Sequence, residues 1–184
     1  MENFPELATP RLRLRELTGG DVDSLFAIHS NAVAMQWFGA DAMTERRQAA
    51  QLVETFANWR LAPNPGTRWG IQRHDTGQLI GTCGLFKWNR HWHSCTIGYE
   101  LAEDAWGQGY MREALHKIIA WGFTEMQLNR IEAQINPENQ ASWRLVEKLG
   151  FRHEGTLQEA GYWNDKFHDL RHYALLKRIY YSYC

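Results

Sequence analysis

Apolar and polar side chains alternate along residues 11–17, where Leu12, Leu14 and Leu17 are interleaved with arginines and a glutamate. A period of two predicts a half-buried strand. Thr18, Gly19, Gly20 and Asp21 supply a turn and a cap. Beyond them the spacing lengthens: Val22, Leu25, Phe26, Ile28 and His29 fall on one face of a helix reaching about Ala32. Residues 31–42 have no period, although they hold Met35, Trp37 and Phe38. Thr44 starts a second helix, over residues 45 to about 61, with Ala49, Leu52, Val53, Phe56 and Trp59 on one side. Pro63, Pro65 and Gly66 end it, because neither residue type extends that pattern. Residues 67–74 and 79–87 are strand-like, joined by a hairpin turn at Asp75, Thr76, Gly77 and Gln78.

A further strand is predicted over residues 95–101, entered from a loop spanning Trp88 to His93. From Tyr110 the period is helical again, with Met111, Ala114, Leu115, Ile118 and Gly122 on one face. Ile131, Ala133 and Ile135 alternate with Arg130, Glu132 and Gln134 in another strand. A short helix follows, with Asn139 as its N-cap, Leu145, Val146 and Leu149 inward, and Gly150 as a left-handed stop. Residues 151–173 and on to Ile179 read as two strands joined by Asn164 and Asp165. The order β-α-α-β-β-β-α-β-α-β-β describes an α/β (α+β) domain on a mixed, mostly antiparallel sheet. No repeat or linker interrupts it, so a single domain over residues 1–184 is expected, with its core at about 9–179.

Composition narrows the function classes. A hydrophobic fraction of 44% with nine tryptophans excludes global disorder. Twenty basic against 21 acidic residues leave no footprint for general nucleic-acid or membrane binding. No apolar run approaches the ~18 residues of a membrane span, and the N-terminus, with Glu2 and Glu6, does not read as a signal peptide. Cys83, Cys95 and Cys184 form no CxxC pair and are expected as reduced thiols of a cytoplasmic protein. His91 and His93 would share one strand face, and His168 and His172 lie four apart in a predicted strand. Neither pair has a third and fourth ligand at a metal-site spacing, so no metal is expected.

The stretch 100–115 carries the sharpest chemistry. Gly107 and Gly109 permit a tight turn that leaves main-chain N–H groups uncovered. A helix starting at Tyr110 adds its unpaired first-turn N–H groups and the positive end of its dipole. Together these form a site for a phosphate or pyrophosphate. Glu100 ends the strand just upstream, on the face opposite Tyr99 and Leu101. Downstream, Asn136, Glu138, Asn139 and Ser142 lead into Glu147, Lys148, Leu149, Gly150 and Phe151. Asn136 ends a strand and orders the turn, whereas Glu103 and Asp104 are turn and helix-entry acids.

On these motifs, with Ile97, Gly98 and Tyr99 before Glu100, the chain resembles the GNAT superfamily of N-acetyltransferases, in the branch of the ribosomal-protein-alanine N-acetyltransferases. The resemblance runs from about Thr9 to the end. Gly109 matches the first glycine of the family's phosphate-loop pattern, while Trp106 stands where Gln or Arg is usual and Met111 where Gly or Ala is usual. It implies a sheet with helices on both faces and acetyl-CoA as co-substrate. The cofactor residues would be Leu101, Ala102, Trp106, Gly107, Gln108, Gly109, Tyr110, Met111, Arg112 and Asn139, with the pyrophosphate on N–H groups of about 106–112.

It further implies direct attack by a primary amine without a covalent enzyme intermediate, Glu100 as candidate base and the Ser142 hydroxyl beside the leaving thiolate. Solvated strand-end glutamate and ordinary first-turn serine are the alternatives. The acceptor implied is a protein N-terminal α-amine. A small amine (polyamine or antibiotic) is the first rival, and a non-catalytic acyl-CoA-binding module the second. Trp37, Phe38 and Trp163 could wall an acceptor groove; Trp88, Trp92 and Tyr162 are further loop and strand-end aromatics. The oligomeric state stays open, although the aromatic segment from Tyr173 to Tyr183 could pair with another chain as a homodimer.

Overall fold

The computed structural model describes residues 4–182. Eight strands form one sheet: β1 (Leu7–Ala8), β2 (Leu12–Arg15), β3 (Thr67–Arg73), β4 (Leu79–Asn89), β5 (Ser94–Leu101), β6 (Arg130–Ile135), β7 (Arg152–Trp163) and β8 (Lys166–Leu176). Their order is β1-β2-β3-β4-β5-β6-β8-β7, and every pairing is antiparallel except β5 with β6. The helices are α1 (Val22–His29), α2 (Ala32–Met35), α3 (Arg46–Trp59), α4 (Tyr110–Thr124), α5 (Gln140–Lys148) and α6 (Lys177–Tyr180). All eleven elements expected from periodicity are present.

Strand alternation sorts the side chains into two cores. Leu12, Leu14, Trp69, Ile71, Cys83, Leu85 and Ile97 face α4, whose Ala114, Leu115 and Ile118 are fully buried against them. The opposite face carries Leu17 and Leu79 under α1 and α3, which contribute Leu25, Ala49, Val53 and Phe56. β4 is buried on both faces from Leu79 to Leu85, as befits a central strand.

The shorter elements depart from expectation for local reasons. Residues 31–42 contain α2, because the Asn31 side chain accepts from the N–H groups of Val33 and Ala34 at 2.9 and 3.2 Å and caps a single turn. Residues 177–180 are helical, not strand: β6 begins at Arg130, which pairs with Leu176, so no rung exists beyond that point. Tyr180 turns back onto Phe123, with ring centroids 5.0 Å apart, and Tyr173 is fully buried. Most of the C-terminal aromatic segment is therefore used within this chain; Tyr183, like Cys184 and Glu2, lies outside the described residues. Asn164 and Asp165 both have positive φ (51° and 54°) and close the β7–β8 hairpin as expected.

Residues 90–93 form a turn, so His91 and His93 do not share a strand face. Among the described residues no three His, Cys, Asp or Glu side chains are grouped to hold a metal, and no helix is long and apolar enough to cross a membrane. Cys83 and Cys95 are buried free thiols; burial pushes the Cys83 thiol up to about 12.

Candidate active site

β5 and β6 are paired only at Ser94–Arg130, Cys95–Ile131 and Thr96–Glu132. Beyond Thr96 the two parallel strands part, and the opening is a cleft of about 1170 Å³ lined from both sides, by Gly98, Tyr99 and Glu100 on β5 and by Ala133, Gln134 and Ile135 on β6.

At one end lies the glycine loop. Gly107 and Gly109 have φ of 71° and 80°, conformations that side-chain-bearing residues rarely adopt. Glu113 is the first residue of α4 whose N–H finds a backbone acceptor, Gly109 O at 3.1 Å. Among the described residues the N–H groups from Gly107 to Arg112 have no hydrogen-bond partner, and a Cβ at Gly107 would meet nothing within 4 Å. That open row of donors at a helix start suits an anion. Trp106 contributes no free donor: its N–H reaches Glu103 O at 3.2 Å and its indole donates to Leu101 O at 2.9 Å. Leu101, Tyr110, Met111 and Arg112 join the wall of the cleft, whereas Ala102 and Gln108 do not. The Ala102 N–H is held by Ile80 O, and the Gln108 amide turns back to Asp104 O. Met111 is buried and belongs to the core that α4 covers, while also reaching the cleft wall.

The loop is braced by a residue that sequence patterns did not single out. Arg11 donates from Nη1 to Gln108 O at 3.0 Å, pairs with Glu113 at 2.7 Å and lies 4.4 Å from the Tyr110 ring centroid. Its only signal was a basic residue at a strand start, which says nothing about a partner 102 residues away.

Across the cleft, the Asn139 carboxamide oxygen accepts from Ser142 N–H at 3.1 Å, the expected N-cap of α5. Its Nδ2 is left available to the cleft, which Asn139 lines. Asn139→Ala should lower stability by about 1 kcal/mol, read from denaturant unfolding. An unchanged midpoint and slope would show that the cap contributes nothing. Asn136 orders the turn before it, accepting from Glu138 N–H at 2.9 Å. The Ser142 hydroxyl lies 2.8 Å from the Tyr99 hydroxyl, so the two form a hydrogen-bonded pair on the α5 side of β5. Burial pushes the Tyr99 phenol upward, which keeps it protonated at neutral pH.

Glu100, on the opposite face of β5, is buried rather than solvated. Its Oε2 accepts from Arg68 Nη2; its Oε1 accepts from the Thr82 hydroxyl and lies 3.3 Å from His29 Nε2. Burial pushes the carboxyl up, but the Arg68 charge and the His29 and Thr82 contacts outweigh it, leaving the pKa below the ordinary glutamate value. Glu100 is therefore an anion at neutral pH. Sequence periodicity could not reveal Arg68, Thr82 and His29 as partners, because three different elements deliver them.

Trp37, Phe38 and Trp163 line the same cleft, as does Tyr162; Trp88 and Trp92 do not. Trp163 is fixed by its indole N–H on Gln36 O at 3.1 Å and by stacking on His168 at 3.6 Å.

Residues 11–152 match the family described as "Acetyltransferase (GNAT) domain". The chain belongs to the GNAT acetyltransferase family, and it is an enzyme of the N-acetyltransferase class. It is 37% identical over 174 residues to the Bacillus subtilis (strain 168) protein named Uncharacterized N-acetyltransferase YoaA, covering 95% of this chain and 98% of that one. It is 30% identical over 102 residues to the Escherichia coli (strain K12) ribosomal protein uS5-alanine N-acetyltransferase, about half of each chain (53% and 53%). Its fold is similar to the crystal structure of spermidine N-acetyltransferase from Vibrio cholerae in complex with CoA and spermine, with a TM-score of 0.81 at 22% identity over 94% of this chain and 99% of that one.

Proposed function

We propose that this acetyltransferase moves an acetyl group from acetyl-CoA directly to a primary amine within a ternary complex, and that the amine is a protein N-terminal α-amine. What carries the reading is the convergence of the free N–H row, the Tyr99–Ser142 pair and Glu100 on one cleft between parted strands. The N–H groups from Gly107 to Arg112 hold the pyrophosphate, and the Asn139 amide holds the arm that leads from it. Acetyl-CoA supplies the activated thioester. Glu100, already anionic, orients the incoming amine and draws its proton, which leaves through water because a carboxyl held below its usual pKa does not retain it. An α-amine titrates near 8, so this modest assistance suffices. On the opposite face, the Tyr99–Ser142 pair donates a hydrogen bond to the departing sulfur, and the proton that the thiolate finally takes up comes from water, to which the amine has lost its own.

The N-terminal acceptor is supported by the Escherichia coli relative's named substrate and by the cleft's make-up. A polyamine carries several positive charges, whereas the carboxylates lining this cleft are Glu100, already paired with Arg68, and Glu138. The polyamine reading rests on the Vibrio cholerae neighbour, which binds spermine. The cytoplasm is the compartment that suits buried, unpaired thiols. A turnover screen of N-terminal peptides, spermidine and small amines, read as CoA release, separates these acceptors. Peptides should be the best substrates, and turnover confined to spermidine would reverse the assignment.

Tyr99→Phe is expected to slow the chemical step by about 10-fold or more with acetyl-CoA affinity unchanged, and Ser142→Ala to have a similar effect. Single-turnover rates that match wild type in both variants would remove the pair from the reaction.

A further inference from the structure

Arg68 sits on the cleft wall in an arrangement that its role as counter-ion to Glu100 does not exhaust. Strand register places Arg68, Gly84 and Gly98 in one row across β3, β4 and β5, with Gly70, Thr82 and Glu100 in the next. The two glycines open a furrow. A Cβ at Gly84 would stand 2.8 Å from the Arg68 Cδ, and one at Gly98 would stand 3.2 Å from its Nη1. The side chain therefore lies flat across the sheet, its Cζ 5.1 Å from the Phe56 ring centroid, and only 3% of it is exposed. Nε donates to the Thr82 hydroxyl at 2.6 Å and Nη2 to Glu100. Nη1, beside Gly98 on the wall of the cleft, has no partner among the described residues. It is not sealed from solvent, so an oxygen seated in the cleft can replace water on a charged donor.

We infer that Arg68 recognises the acceptor: Nη1 donates to a carbonyl or carboxylate oxygen next to the carbon bearing the reacting amine, while Glu100 on the same guanidinium takes the amine. The site thereby selects an α-amino carbonyl unit, as found at a peptide N-terminus, over simple amines and polyamines. A neighbouring anion and cation match the two ends of that unit, whereas a polyamine offers nothing to the guanidinium. The inference rests on the N-acetyltransferase reading above and adds the residue that selects its acceptor. Trp37, Phe38 and Trp163 line the same cleft and offer apolar surface to an aromatic side chain.

The test compares phenylalaninamide with 2-phenylethylamine, which differ by the carboxamide alone, at matched concentrations of free amine. Wild-type enzyme should show a kcat/KM about 10- to 100-fold higher for the amide, the size of a hydrogen bond to a charged group. Arg68→Lys keeps a cation beside Glu100 but removes Nη1. It should slow both acceptors through the altered Glu100 pair, but slow the amide about 10-fold more, so that most of the preference is lost. The ratio cancels intrinsic differences between the amines, and a purely structural role would lower both rates by the same factor. Equal wild-type efficiency on the two acceptors overturns the inference and leaves the acetyltransferase reading intact. If Arg68→Lys fails to fold, a wild-type ratio no higher than that of the uncatalysed reactions of the two amines with acetyl-CoA overturns the inference. Absence of CoA release with any amine, peptides included, would instead remove the function on which the inference stands.

Discussion

Glu100→Gln should lower turnover by about 10²–10⁴-fold while leaving acetyl-CoA affinity nearly unchanged. The glutamine keeps the shape, and its one carbonyl oxygen can still accept from Arg68 or from Thr82, but it cannot draw a proton or balance the charge of an arriving ammonium. Because Arg68 holds the carboxyl below its usual pKa, Glu100 does not titrate near neutrality. The acidic limb of kcat/KM should therefore follow the acceptor amine, rising with pH toward about 8, in wild type and variant alike. Stability should respond at lower pH. A depressed folded-state pKa contributes stability that is fully present above the unfolded value, about 4.3, and is lost as pH falls through the folded value. The variant, with Arg68 left buried beside a neutral group, should be less stable at pH 7, and the gap to wild type should narrow in acid. Steady-state rates together with denaturant unfolding from pH 3 to pH 8, as the working range, check both parts. A variant with wild-type turnover would leave Glu100 a structural counter-ion only.

Gly109→Val should weaken CoA binding by at least about 10-fold, roughly 1.4 kcal/mol. Gly109 caps α4 with φ of 80°, where a β-branched residue is strained, and the loop must shift to relieve it. Any such shift turns the N–H groups from Gly107 to Arg112 away from a common focus. Titration calorimetry with CoA, beside a circular dichroism spectrum to show an intact fold, gives the answer. Unchanged affinity in a folded variant would move the pyrophosphate elsewhere.

Periodicity located the strands and long helices because each buries a single face, and that requirement is written into the spacing of apolar residues. Gly107, Gly109, Asn139 and Gly150 were legible for another reason: their backbone roles are local, and the sequence on either side specifies them. α6 was misread as strand because its helical state depends on where β6 begins, a fact some 50 residues distant and invisible to any window. The partners of Glu100 escaped for the same reason. His29, Arg68 and Thr82 each look unremarkable in place, and meet only when α1, β3 and β4 are assembled around β5. Alternation sets Tyr99 opposite Glu100, but its partner Ser142 arrives from α5, 43 residues away.

The parting of β5 from β6 also leaves main-chain groups unpaired in the interior of the sheet. Three rungs join the strands, and past Thr96 and Glu132 two strand edges carry main-chain groups with no partner across the gap. On an outer rim such edges would recruit strands from other molecules. Here they face one another across the cleft, so the opening that holds the candidate site also keeps these two edges off the outer rim of the sheet. Substitutions that prise the strands further apart, as at the Cys95–Ile131 rung, should therefore lower both activity and stability, and a ligand seated between the strands should offset the loss of stability.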